Sequence, residues 1–248
     1  MANQNHDVIK QCNNITIADI RKATEFVWSN PMCRKTPLMA DVEHPLREEL
    51  AHLPPEAKIY FKLESAQNTN CYKIRGATYQ MTTACKLHRQ ANEESTKEGL
   101  HFVCYSGGNY GLAFSTVAHG LGVQGTVVMP THVPARRVSL LQELGVNQFE
   151  NFFLILNLAC FSVELHDQDH LIEAVQHHVA SDEMIPMHPF DDINLILGHS
   201  SIGVEIVDQI RDLGINGGPD LLLVPIGGGG LISGVSAALR LLGEIFSV

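Results

Sequence analysis

The sequence predicts an α/β fold with mainly parallel sheets, and two observations carry the prediction. From residue 59 onward, strand-like and helix-like patterns alternate along the chain, as expected when helical crossovers join parallel strands. Two glycine-rich turns, Ser106–Gly111 and Gly227–Gly230, each follow an apolar run and open a helical pattern. In such sheets ligands sit where strand ends meet helix N-termini.

Thr16 followed by Asp19 has the form of a helix N-cap with an acidic third position. Ile17, Ile20, Ala23 and Val27 then fall on one helical face. After a polar, proline-containing stretch, Ile59–Glu64 reads as a short strand. Phe102–Tyr105 reads as a strand, and Tyr110–Leu121 as a helix ended by Gly122. Thr126–Met129 is the next strand, and Ala135–Leu144 a helix ended by Gly145. Leu171–Val179 and Ile202–Leu213 are helical. Leu221–Ile226 is apolar and bounded by Asp220 and Gly227, hence expected as a buried strand; Leu231–Leu242 follows as a helix.

Composition narrows the function classes. The 248 residues carry 17 basic and 27 acidic side chains, a formal charge of −10. Such a surface repels phosphate backbones, so nucleic acid is not an expected partner. There is no basic amphipathic stretch for an anionic membrane and no apolar run of the roughly 20 residues a span needs. The polar opening, MANQNHDVIK, has no signal-peptide core, and a cytoplasmic location is expected. Six cysteines (Cys12, Cys33, Cys71, Cys85, Cys104 and Cys160) form no CxxC pair, so neither a zinc ribbon nor a disulfide framework is expected. No metal site is expected, and the thirteen histidines read as surface or core residues.

The turn Gly227-Gly228-Gly229-Gly230 carries chemistry. Four glycines let backbone approach a ligand without side-chain obstruction, and their N–H groups at a helix start form a phosphate cradle. A plain strand-to-helix turn needs only one or two. The pattern is neither GxGxxG nor the Walker loop, so it points to a small phosphorylated cofactor.

The segment Lys62-Leu63-Glu64-Ser65-Ala66-Gln67-Asn68-Thr69-Asn70-Cys71-Tyr72-Lys73-Ile74-Arg75-Gly76-Ala77 resembles the cofactor-lysine signature of the serine/threonine dehydratase and serine racemase family, K-x-E-x-x-Q-x-T-G-S-F-K-x-R-G-A. Glu64, Gln67, Thr69, Lys73, Arg75, Gly76 and Ala77 match; Asn70, Cys71 and Tyr72 depart. The resemblance implies a three-layer, parallel-sheet fold type II architecture, similar to the tryptophan synthase β chain. It implies pyridoxal 5'-phosphate as cofactor, held between two domains, with Lys73 as the lysine that bonds its aldehyde. A lysine amine becomes a nucleophile only when desolvation or a nearby cation lowers its pKa. Arg75 is close in sequence, though the sequence does not say where it points.

Ser106-Gly107-Gly108-Asn109-Tyr110 resembles the family's S-[SA]-G-N-H loop. The resemblance implies that Ser106, Gly107, Gly108, Asn109 and Tyr110 hold the substrate carboxylate, and that the Asn109 side chain bonds the cofactor's ring hydroxyl. Racemases of the family place a serine base where this chain has Gly107, which disfavours racemisation and leaves one-faced elimination by Lys73. The Arg34–Leu38 and Pro189–Asp192 segments, and Gly198–Glu205 against G-Q-G-T-I-x-x-E, extend the match. The implied activity is elimination of water and ammonia from L-serine or L-threonine. A truncated, non-catalytic cofactor-binding relative and a serine racemase are the alternatives. The implied partners are a small amino-acid substrate and a second copy of the chain as a homodimer.

By the same resemblance, residues 1–68 and 183–248 form a large domain and residues 69–182 a small one. Gln148–Ser162 is mostly apolar and reads either as an insertion, of the kind translated intron sequence would give, or as a natural loop of this lineage; joining Asn147 to Val163 restores the family pattern. The family continues well beyond the glycine-loop helix, so the large domain is expected to be incomplete, without the group that faces the pyridine nitrogen.

Overall fold

The computed structural model describes residues 14–40, 57–91, 99–136, 138–139, 161–215 and 218–243. Its first helix, α1 (Ile17–Ser29), opens with the expected cap: Asp19 N–H donates to the Thr16 hydroxyl, and the Asp19 carboxylate accepts from the Thr16 N–H at 3.0 Å. Two short strands, β1 (Leu38–Ala40) and β2 (Tyr60–Lys62), pair antiparallel.

A four-stranded parallel sheet forms the α/β core. It comprises β3 (His101–Tyr105), β4 (Gln124–Pro130), β5 (Phe161–His166) and β6 (Ile185–Pro186), in the order β5-β4-β3-β6. The crossovers include α2 (Lys73–Ala91), leading into β3, α3 (Asn109–Leu121) between β3 and β4, and α4 (Leu171–Ser181) before β6. Alternation along the strands buries both faces. Phe102, Cys104, Val127 and Met129 pack with Ala113, Phe114 and Val117 of α3. Val103 and Val128 point the other way, against Leu171 and Val175 of α4. Helix, sheet and helix thus make three layers. Gly122 ends α3 in the left-handed region, φ +66°, as its sequence position predicted.

Two long helices complete the described chain: α5 (Ile193–Asp212) and α6 (Gly230–Leu241). Helix α5 packs against α1, α2 and α6. Its crossing with α2 is tight enough that a Cβ on Gly198 would meet the Arg75 carbonyl oxygen at 2.6 Å. On its other side, a Cβ on Gly203 would lie 2.8 Å from that of Ala238 in α6.

A buried charge cluster locks these elements together. Arg75 is 0% exposed. Its Nε donates to Glu64 Oε2 at 2.8 Å, and its terminal nitrogens donate to Glu205 at 2.5 and 2.9 Å. Lys62 Nζ reaches Glu205 at 2.7 Å and the Thr36 carbonyl at 2.6 Å. Trp28 Nε1 closes the cluster on Glu205 at 2.7 Å. Two cations and two carboxylates balance, and every element that supplies one is thereby fixed to α5. Arg75 therefore turns into the core and does not serve as the cation beside Lys73.

Several expectations need correction. Leu221–Ile226 is not a buried strand: among the described residues no strand runs beside 222–226, and Leu221, Leu223 and Ile226 are exposed, Leu223 by 83%. Only Leu222 and Val224 turn inward, onto the apolar cluster between α5 and α6. An extended segment without a neighbour leaves its ladder groups unpaired. Helix α5 begins nine residues before the expected Ile202, because Asp192 Oδ1 caps it by accepting from the N–H groups of Asn194 (2.8 Å) and Leu195 (3.0 Å). Strand β5 starts at Phe161, two residues inside the segment read as an insertion; residues 148–160 lie outside the described residues. Only 135–136 and 138–139 of the Ala135–Leu144 helix are described. Strand β6 lies beyond the expected domain boundary at 182, yet pairs with β3.

The buried cluster gives a stability prediction. Glu205→Gln leaves two buried cations, Arg75 and Lys62, with one carboxylate, Glu64, and lowers unfolding free energy by about 3–5 kcal/mol, read from urea midpoints. Burial raises the Glu205 pKa, but its bonds to Arg75 and Lys62 outweigh burial and hold it below the ordinary glutamate range. The stability it contributes is present above that range and lost as pH falls through the lowered value; acid unfolding of Glu205→Gln is expected to lack this component.

Candidate active site

Lys73 is the first residue of α2. Its amine is half-buried and donates to the Pro189 carbonyl oxygen at 2.8 Å. The Tyr72 and Tyr110 ring centroids lie 5.4 and 5.8 Å from Nζ. Desolvation lowers the Lys73 pKa below the ordinary lysine value, and the positive end of the α2 dipole acts in the same direction. The neutral, nucleophilic amine is thereby favoured.

The wall that receives Lys73 is the 188–190 turn. His188 Nδ1 accepts the Asp191 N–H at 2.8 Å, which places the ring proton on Nε2, 3.2 Å from the Tyr105 hydroxyl. The His188 carbonyl accepts from Gln80 Nε2 at 3.0 Å, and Gln80 Oε1 accepts from the Tyr110 hydroxyl at 2.6 Å. His188 and Gln80 thus position the turn; neither stood out in the sequence as part of the site.

The asparagine loop follows the C-terminal end of β3 and opens α3, as expected. Ser106 Oγ accepts from Gly111 N–H at 2.9 Å and Gly108 N–H at 3.3 Å, so the hydroxyl shapes the loop from inside. Asn109 is exposed at the first position of α3 and Tyr110 is buried behind it. A Cβ on Gly107 would lie 3.0 Å from Val133 and 3.3 Å from Pro130, so a larger residue there must displace its neighbours.

The glycine turn opens α6. Gly227 and Gly228 are exposed, and the helix start has no side-chain cap bond, which leaves its N–H groups available to an anion. Gly229 is left-handed, φ +88°. A side chain on Gly228 would run into the Phe190 ring, and one on Gly230 would meet the Phe190 carbonyl at 2.7 Å. Lys73 and the glycine turn therefore abut the same Pro189–Phe190 pair, with Tyr110 on the third side. A partly desolvated amine with a lowered pKa, near a helix start that has no side-chain cap among the described residues, fits an aldehyde bearing a phosphate.

Residues 31–246 match the family model described as pyridoxal-phosphate dependent enzyme. The chain belongs to this family. Pyridoxal 5'-phosphate is its cofactor class, in agreement with the sequence expectation. Among curated members of the pyridoxal-phosphate dependent enzymes, it is 32% identical over 183 residues to the L-threonine ammonia-lyase of Thermotoga maritima, covering 74% of this chain and 39% of that one. It is 27% identical over 209 residues to the L-serine dehydratase of Dictyostelium discoideum, covering 83% and 55%. The chain thus spans about half the length of these relatives. The solved serine racemase of Dictyostelium discoideum superposes with a TM-score of 0.69 at 24% identity, over 94% of this chain and 64% of that one, which shows the shared fold type II architecture.

One residue in this family site is anomalous. His199 is fully buried, and neither ring nitrogen has a hydrogen-bond partner among the described residues. Desolvation holds its pKa well below the ordinary histidine value, so it is neutral. It meets the Tyr72 ring edge-on at 5.1 Å and occupies the space a Gly76 side chain would need. Gly76→Ala is accordingly expected to cost about 1–3 kcal/mol of stability by overpacking. In a double-mutant cycle read by urea unfolding, His199→Ala is expected to relieve part of that cost.

Proposed function

We propose that this chain is built for β-elimination of L-serine or L-threonine to a 2-oxo acid and ammonia. The observation that carries the reading is the half-buried Lys73 amine, its pKa lowered, at the turn that also abuts the glycine-loop helix. Further support comes from the two curated relatives that act on these amino acids.

In this reading Lys73 would hold the cofactor at its aldehyde, the N–H groups of Gly227, Gly228, Gly229 and Gly230 would hold its phosphate, and the Asn109 amide would bond its ring hydroxyl. When bound, pyridoxal 5'-phosphate supplies an electron sink for a carbon that has lost its proton. The Lys73 amine, whose neutral form desolvation favours, would take the substrate α-proton on Nζ. The substrate carboxylate sits on the loop Ser106–Tyr110, where Ser106 already occupies the Gly108 and Gly111 N–H groups. The N–H groups of Asn109 and Tyr110, in the first turn of α3, are then its principal donors. Gly107 carries no side chain to act on the opposite face of the substrate, and Val133 crowds the space a serine would take; this supports elimination over racemisation. We assign residues 69–182 to a small domain, extended by β6, and the rest to a large one. Cytoplasmic location and a homodimer belong to the same reading. Among the described residues no helix is long and apolar enough to cross a membrane.

The purified chain, incubated with pyridoxal 5'-phosphate, is expected to show visible absorbance and to release 2-oxo acid from L-serine or L-threonine. Lys73→Ala is expected to lose both; absorbance retained in Lys73→Ala overturns the lysine assignment. Absorbance without oxo-acid release, in the wild type, overturns the lyase reading and favours a non-catalytic cofactor-binding relative. Equal α-proton exchange from D- and L-serine would instead indicate racemisation.

A further inference from the structure

We propose that the C-terminal end of α4 carries a site for a divalent transition-metal ion of the zinc type, with His177, His178 and Asp182 as ligands and Glu164 supporting His178. One ligand atom from each of the three lies within 4.8 Å of the others. His178 and His177 are adjacent on the last turn, with ring planes 82° apart and centroids 6.0 Å apart. Asp182 caps the helix and faces His178 Nδ1 at 2.8 Å.

Glu164 is the observation that separates this cluster from a chance meeting of histidines. It lies on β5, outside the helix, and its Oε2 is 2.7 Å from His178 Nε2. With the Nε2 proton directed at Glu164, Nδ1 is left facing Asp182 and His177. A carboxylate on the far nitrogen of an imidazole is the usual support of a metal-bound histidine, because it fixes the tautomer and ring direction. The negative end of the α4 dipole adds attraction for a cation at this place. Two imidazoles and one carboxylate suit zinc, nickel or copper rather than magnesium or calcium. Tetrahedral zinc holds its ligand atoms roughly 3.3 Å apart, given its ~2.0 Å bonds to nitrogen. His177 and Asp182 are exposed, with His177 Nδ1 3.3 Å from the Ser181 hydroxyl and Asp182 bonded to His178. A bound ion would staple the end of α4 to β5 and leave a coordination position for water.

Without the ion, His178 lies between two carboxylates. Burial disfavours its charge, but the bonds to Asp182 and Glu164 outweigh burial and raise its pKa above the ordinary histidine value. The other titratable groups facing the site are His166 on β5, 3.4 Å from Glu164, and His101 on β3.

The test uses the full chain, stripped with chelator and dialysed against zinc chloride. One zinc per chain is expected. His177→Asn and Asp182→Asn, both at exposed positions and checked for fold by circular dichroism, are each expected to bind at least tenfold more weakly. Glu164→Gln is expected to weaken binding by about 10-fold or more. Absence of stoichiometric zinc overturns the proposal. So does a His177→Asn/Asp182→Asn double variant that keeps wild-type affinity, since the zinc would then sit on other histidines. Neither outcome depends on the cofactor or on lyase activity.

Discussion

Everything near Lys73 depends on a guanidinium that never reaches it. Arg75 is placed two residues further along α2 and buried completely, so its charge must be met inside the protein. Glu64 and Glu205 meet it, and Glu205 also engages Lys62, the Thr36 N–H and Trp28. Because a buried charge without its partner is far costlier than a lost surface pair, these contacts define where α2 begins. Lys73, two residues from the anchor, inherits that position.

The second determinant is close helix packing around α5. Gly198 meets α2 backbone, and Gly203 meets α6 at Ala238. The lysine-bearing helix and the glycine-turn helix are therefore both referenced to one element. The turn at Pro189–Phe190, which precedes α5, fills the space between them and is braced by His188, Gln80 and Tyr105. Three motifs that lie far apart in sequence converge because α5 and the preceding turn contact two of them and Tyr110 lies beside Lys73.

Much of this was legible in the sequence, for local reasons. The Thr16–Asp19 cap, the left-handed stop at Gly122, and strands β3 and β4 are set by short-range chemistry and simple periodicity. The lysine segment, the asparagine loop and the glycine turn were each visible as residues in a frame. What could not be read depended on tertiary partners. The first half of α5 lacks a clean apolar stripe because His199, Ser200 and Ser201 are buried there by neighbouring helices. Leu221–Ile226 has the composition of a core strand, but composition does not supply a neighbour. The direction of Arg75 was open because both a cofactor site and two distant carboxylates would attract it. His178 and Glu164 lie fourteen residues apart with no recognisable ligand spacing, so their meeting is visible only once β5 and α4 are packed.

The shared packing on α5 also has a mechanical consequence. Two parts mounted on one beam move together when the beam moves. A translation of α5 would displace the amine and the glycine turn in the same sense and largely cancel in the gap between them. The molecule therefore holds a relative distance more tightly than it holds either absolute position, and that distance is the one a rigid molecule spanning the gap would sense.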